Sequence, residues 1–168
     1  MSDNITITNA SRHNLVEIQH INKVSLHHIF TINDFVYFYE NGIINICICN
    51  GKTVGYIVVC DYEKLNKTMF TNKLEQYKLI CGNTLNIIVS FSVLTRHKNK
   101  GIGKMLLSSI LEYENNYAIT LKTSNNICQY LLNKYNFSNY DYFTQNKLND
   151  SVIMVLFCED YKMDVVDS

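Results

Sequence analysis

Between positions 96 and 104 the chain reads RHKNKGIGK, which sets the cations Arg96, Lys98, Lys100 and Lys104 around two glycines, Gly101 and Gly103. An apolar helical pattern follows directly, and that combination suits one chemistry, the binding of phosphate. A helix that starts straight after a glycine loop leaves its first backbone N–H groups without intrahelical acceptors and points the positive end of its dipole at the loop. Glycine lets the backbone wrap an oxyanion closely, and Lys98, Lys100 and Lys104 supply neutralising charge. Two known phosphate motifs do not fit. A P-loop requires Ser or Thr after Gly-Lys, where Met105 stands, and a glycine further upstream that is missing. A dinucleotide fingerprint requires a third glycine where this chain has Leu106. As a nucleic-acid patch the run lacks an aromatic platform or a basic stripe.

Whole-chain numbers make any anion site local. The 168 residues are 47% hydrophobic with a formal net charge of zero, which implies one domain around one core and no global attraction to nucleic acid or an acidic membrane. No stretch approaches the roughly 18 apolar residues of a membrane span, and MSDNITITNASRH does not read as a signal peptide. A cytoplasmic protein with neither nucleic-acid nor membrane partners is expected. Cys47, Cys49, Cys60, Cys81, Cys128 and Cys158 form no CxxC pair and have no histidine pair at zinc spacing beside them. They read as small apolar core residues, and no metal is expected. Proline and tryptophan are absent and arginine occurs only at Arg12 and Arg96, so lysine is the substitute to look for where a motif calls for arginine.

The elements that position the loop follow from periodicity. NITITNA (4–10) alternates like a strand, and the segment 11–26 places Leu15, Ile18, Ile21 and Val24 at helical spacing behind Ser11 as N-cap. INDFVYFYENG predicts a second helix begun at Asn33 or Asp34 and closed by Gly42. IINICICN and TVGYIVVCD are strands joined by Asn-Gly, a hairpin signal because both residues tolerate positive φ. Residues 62–83 read as an insertion. A buried strand (84–95), a helix (101–116), a strand (117–124), a helix (125–135) and two final strands (137–143, 151–159) complete the order β α α β β β α β α β β. One domain over 1–168 is expected, with 160–168 as a loosely held acidic tail.

At this point VLTRHKNKGIGKMLL resembles the acyl-CoA pyrophosphate loop of the GNAT N-acetyltransferase superfamily, Arg/Gln-x-x-Gly-x-Gly/Ala after the fourth strand. Lys98 occupies the Arg/Gln position, Gly101 and Gly103 are the small residues, and Asn99, Lys100, Ile102 and Lys104 complete the loop. LKTSNNICQYLLNKYNF resembles the family's later motif: Asn125 and Phe137 match it, while Cys128, Leu132 and Asn136 replace its Ala, Tyr and Gly. The resemblance covers about residues 4–159. It implies an α/β (three-layer α+β) fold in which a mixed sheet of about seven strands splays between strands four and five, flanked by about four helices. It implies acetyl-CoA as cosubstrate and a primary amine as acceptor. The backbone of Phe91, Ser92 and Val93 would pair with the pantetheine arm, the Val93 N–H would stabilise the thioester oxyanion, and Asn125 would hold the pantetheine from the far side of the slot.

The catalytic positions depart from the family's pattern. Many relatives carry Glu on strand four, where NIIVSFSV offers only Asn86, Ser90 and Ser92, and the usual general-acid tyrosine is Leu132. The candidates that remain are Ser90 through a water relay, Tyr135 one helical turn beyond Leu132, and His27 or His28 between the first two helices, with Asp34 and Glu40 nearby. The loop TQNKLND between the last two strands is short, which points to a small amine, amino sugar or polyamine ahead of a protein N-terminus. The alternatives are a CoA-binding module without turnover and an interaction protein that uses the 62–83 insertion as its surface. The insertion or the final strand also offers a surface for a homodimer.

Overall fold

The structure, a computed structural model, describes residues 2–25, 29–65, 85–112, 115–122, 125–139 and 151–157. The elements run β1 (Ile5–Asn9), α1 (Leu15–Ser25), α2 (Ile32–Asn41), β2 (Gly42–Cys49), β3 (Lys52–Asp61), β4 (Leu85–Val93), α3 (Ile102–Ile110), β5 (Asn116–Lys122), α4 (Asn126–Lys134), β6 (Ser138–Asn139) and β7 (Ser151–Leu156). Among the described residues, that is the order read from the sequence. The described strands form one mixed sheet of seven in the order β1-β2-β3-β4-β5-β7-β6. Two compact units divide the chain, Met1–Cys60 with Val89–Leu111 and Asp61–Ile88 with Glu112–Ser168, so β4 contributes to both.

In the first unit β1 pairs antiparallel with β2, and β2 with β3 across the turn at Asn50 and Gly51. Both turn residues have positive φ (51° and 81°), as the Asn-Gly signal requires. Cys47 faces Gly55 and Ile48 faces Thr53, which leaves Val54 as a bulged residue. Helix α1 buries Leu15, Ile18, Ile21 and Asn22. Val24, expected on that stripe, is 59% exposed. At about 100° per residue it lies roughly half a turn from Leu15, whereas Asn22 returns to the same face. A 3₁₀ turn (Arg12–Asn14) precedes α1, and both the N–H and the Oγ of Ser11 donate to Asn14 Oδ1 (2.8 and 2.9 Å).

Helix α2 starts earlier than the sequence suggested, capped by Thr31. Asp34 N–H donates to Thr31 Oγ1 (3.1 Å) and Thr31 N–H to Asp34 Oδ2 (2.7 Å), a reciprocal capping box. Gly42 does follow α2, and a Cβ there would collide with Cys60 Sγ and the Val59 carbonyl oxygen. Phe35 and Phe38 on α2 pack edge-to-face with Phe30 (5.8 and 5.2 Å between ring centroids), and Phe35 packs likewise on Tyr56 of β3 (5.9 Å). Helix α3 buries Ile102, Leu106, Leu107 and Ile110 and stops there, short of the predicted position 116. Leu111 is already extended (φ −77°, ψ 126°), and the chain turns towards β5 with Asn115 N–H donating to the Glu112 carbonyl (3.2 Å).

In the second unit β4 pairs in parallel with β5 at Leu85, Asn86 and Ile87. β7 pairs antiparallel with both β5 and β6. Helix α4 is capped by Asn125, whose Oδ1 accepts the Cys128 N–H (3.2 Å). It closes on Asn136 at φ 68°, with Phe137 N–H reaching back to the Leu132 carbonyl (3.1 Å). Of the expected insertion, only Tyr62–Lys64, a 3₁₀ turn, and the buried Leu65 are described. The rest of 62–83 from residue 66, the TQNKLND loop, the 160–168 tail, Cys81 and Cys158 lie outside the described residues.

Candidate active site

A 3₁₀ turn (Thr95–His97) follows β4, and Asn99 and Gly101 both take left-handed conformations (φ 65° and 77°) before α3 begins. A left-handed residue followed by a helical one turns successive N–H groups into a common concavity, and the N–H groups of Ile102 and Gly103 belong to the first helical turn. A Cβ built on Gly101 meets nothing within 4 Å, so the backbone there is open to a ligand. Lys98, Asn99, Lys100 and Lys104 are exposed around it. This is a fitting cradle for a phosphate group.

Along β4 the backbone directions can be read. Leu94 N–H donates to the Val54 carbonyl (2.8 Å), and the Ser92 carbonyl oxygen stands 3.1 Å from where a Gly55 Cβ would lie. Strand residues two apart turn their N–H and C=O groups the same way. Ser92 therefore turns its backbone towards β3, and Phe91 and Val93 turn theirs away from it. Two of the three residues assigned to the pantetheine present suitable groups, and Ser92 is the spacer between them.

Ser90 is 5% exposed, and its Oγ lies 2.6 Å from Tyr56 Oη. Asn22 Nδ2 donates to the same Tyr56 oxygen (3.1 Å), and Asn22 Oδ1 accepts the Phe30 N–H (2.9 Å). A buried polar chain thus links the segment before α2 to β4 through three side chains. Burial pushes the Tyr56 hydroxyl above its ordinary pKa, with the Ser90 and Asn22 bonds opposing. Sequence reading overlooked this chain; its signal was Asn22, a polar residue on an apolar helical stripe.

The remaining candidates have separate settings. Asp34 is used in the capping box, and Glu40 Oε1 pairs with Arg12 at 2.7 Å. Tyr135 follows α4 at its C-cap and is half-buried, while Leu132 is fully buried. His27 and His28 lie outside the described residues. Cys47, Cys49 and Cys60 are buried free thiols, with Cys128 half-buried. No cluster of possible metal ligands occurs among the described residues. Arg96 and His97 line an open groove of about 1240 Å³ with Glu17, His20 and Lys52.

No family model and no curated protein matches the sequence. Solved structures do match. An acetyltransferase of the GNAT family from Streptococcus pneumoniae superposes with a TM-score of 0.59 at 18% identity, over 91% of this chain and 98% of that one. The fold is that of the GNAT acetyltransferases. Arabidopsis thaliana Naa50, in complex with a bisubstrate analogue CoA-Ac-MVNAL, gives a TM-score of 0.68 at 15% identity over 90% and 97% of the two chains. The ribosomal-protein-S18-alanine N-acetyltransferase of Escherichia coli gives 0.66 at 15% identity over 91% and 93%. In this chain Lys98 lies in the loop between β4 and α3, and Leu132 is buried in α4.

Proposed function

We propose that this chain is an acetyl-CoA-dependent N-acetyltransferase. The observation that carries the reading is the loop Lys98–Gly103, with left-handed Asn99 and Gly101 and an open backbone at the start of α3. In this reading the loop N–H groups and the dipole of α3 hold the pyrophosphate of CoA, with Lys98 and Lys104 adding charge. The pantetheine amides pair with Phe91 and Val93, whose backbone groups point away from β3. Attack by an amine nitrogen on the thioester carbonyl forms an N–C bond and an oxyanion that the Val93 N–H stabilises. Collapse breaks the C–S bond, the thiolate of CoA leaves, and the amine proton passes to water or a side chain.

For the acceptor, the likeness to Naa50 with its peptide-bearing analogue and to the ribosomal-protein enzyme favours a polypeptide N-terminus. That reverses the order of preference the short final loop suggested. Ser90 serves as a β4 anchor held by Tyr56 in this reading, and the proton acceptor is a water or a histidine of the segment before α2. The test is thiol release from acetyl-CoA with mass detection of product, across short peptides with free N-termini, polyamines and amino sugars. Acetylated peptide is the expected result. Acetylation of polyamines alone would restore the small-amine reading, and CoA binding without any product would leave a binding module.

A further inference from the structure

Lys100 stands in the middle of the cofactor loop, yet its ammonium is engaged elsewhere. Lys100 Nζ donates to Asp3 Oδ2 at 2.7 Å, and Asn50 Nδ2 donates to Asp3 Oδ1 at 3.1 Å. Asn50 is locked in turn: its N–H donates to the Asn4 carbonyl (3.0 Å), and the Asn4 N–H donates to Asn50 Oδ1 (3.0 Å). Three segments meet on one carboxylate, namely the approach to β1, the β2–β3 turn and the loop before α3. The Lys100 and Asn50 bonds hold Asp3 below the usual carboxylate range, so it is fully charged at neutral pH.

We infer that Asp3 is a positioning residue for the cofactor: through Lys100 it fixes the loop in its phosphate-binding shape, and Lys100 acts as a strut instead of a phosphate ligand. This rests on the reading of the loop as a CoA phosphate site. A left-handed residue stands on each side of Lys100, at Asn99 and Gly101; glycine takes that conformation freely, but at Asn99 the Cβ makes it costly, and the surroundings must hold it. A tether on the residue between them does that.

The direction of the effect discriminates. Asp3 is an anion beside a site for anions, so Coulomb's law alone makes Asp3→Asn bind CoA more tightly. Positioning makes it bind more weakly, by about threefold to fivefold for a partly exposed pair. CoA affinity is measured by titration calorimetry for the wild type, Asp3→Asn, Lys100→Asp and the exchanged pair Asp3→Lys with Lys100→Asp. Weaker binding by Asp3→Asn, a larger loss in Lys100→Asp and recovery of most of it in the exchanged pair are expected. Tighter or unchanged binding by Asp3→Asn, or no recovery on exchange, overturns the inference. Hydrogen exchange of the ligand-free loop is read in parallel, with faster exchange at Asn99–Gly103 in Asp3→Asn expected. Unchanged exchange refutes the tether independently of CoA. A wild type that does not bind CoA but shows the exchange difference would sink the proposed function and keep the tether.

Discussion

Tyr56→Phe deletes one oxygen from the core and two bonds with it, the 3.1 Å bond from Asn22 and the 2.6 Å contact with Ser90. The ring remains, so its edge-to-face packing on Phe35 at 5.9 Å survives and no cavity opens. A buried hydrogen bond contributes about 0.5–1.5 kcal/mol net, and stripping a buried polar group of its partner costs about 1–3 kcal/mol. The Ser90 hydroxyl can turn to a strand carbonyl, whereas the Asn22 amide is held by its bond from Phe30 N–H and loses its Tyr56 acceptor. We therefore expect a loss of about 2–3 kcal/mol. At about 2–4 °C per kcal/mol for a chain of this size, that is a fall of roughly 4–12 °C in Tm. Urea unfolding followed by circular dichroism at pH 7 measures it, with the m-value checked for constancy. Adding Ser90→Ala to Tyr56→Phe should cost less than the sum of the single changes, because the second removes a partner already lost. A Tyr56→Phe loss under about 0.5 kcal/mol would refute the argument that this hydroxyl joins the two ends of the chain.

Gly101→Val forces a β-branched residue to φ 77°, a strain of order 1–2 kcal/mol, and puts a side chain over the open backbone of the loop. Stabilisation of the wild type by CoA should vanish in the variant while its far-ultraviolet spectrum stays native; retained stabilisation would sink the loop assignment. Burial, followed by the neighbouring Cys49, pushes the Cys47 thiol up to about 11. At pH 8 its alkylation in the folded chain should be far slower than in urea, read by peptide mass mapping, and equal rates would contradict its burial. The His97 imidazole is held below its ordinary value of 6.5, first by burial and then by Lys100 and Arg96. Its depressed folded pKa means that the stability it contributes is present above 6.5 and is lost as pH falls through the folded value, because the unfolded chain takes up the proton first. His97→Asn should flatten the loss of stability as pH falls below about 6.5, and an unchanged slope would exclude His97 as a cause.

Much of the fold was legible because its signals are local. The Asn-Gly turn needs only two residues that accept positive φ, and the strand–glycine–helix succession around Gly101 needs only the absence of a Cβ and a periodic apolar face. Element ends were less legible. Thr31 became the cap of α2 because Asp34, three residues on, completes a reciprocal pair, and α3 ended at Ile110 because the chain must turn for β5. The apolar stripe of α1 was read through Val24 because hydropathy alone does not admit a buried Asn22, whose partner Tyr56 lies 34 residues away.

Sequence alone determined the order of the described strands and helices, the glycine loop between β4 and α3 and the resemblance to GNAT acetyltransferases, since each depends on residues near one another in the chain. Only the tertiary structure decided which polar groups are consumed by one another. Lys100 is tied to Asp3 across 97 positions, and Ser90 to Tyr56 across 34. A charge or hydroxyl advertises a possible bond in the sequence, but its partner is chosen by where folding brings a complementary group within about 3 Å.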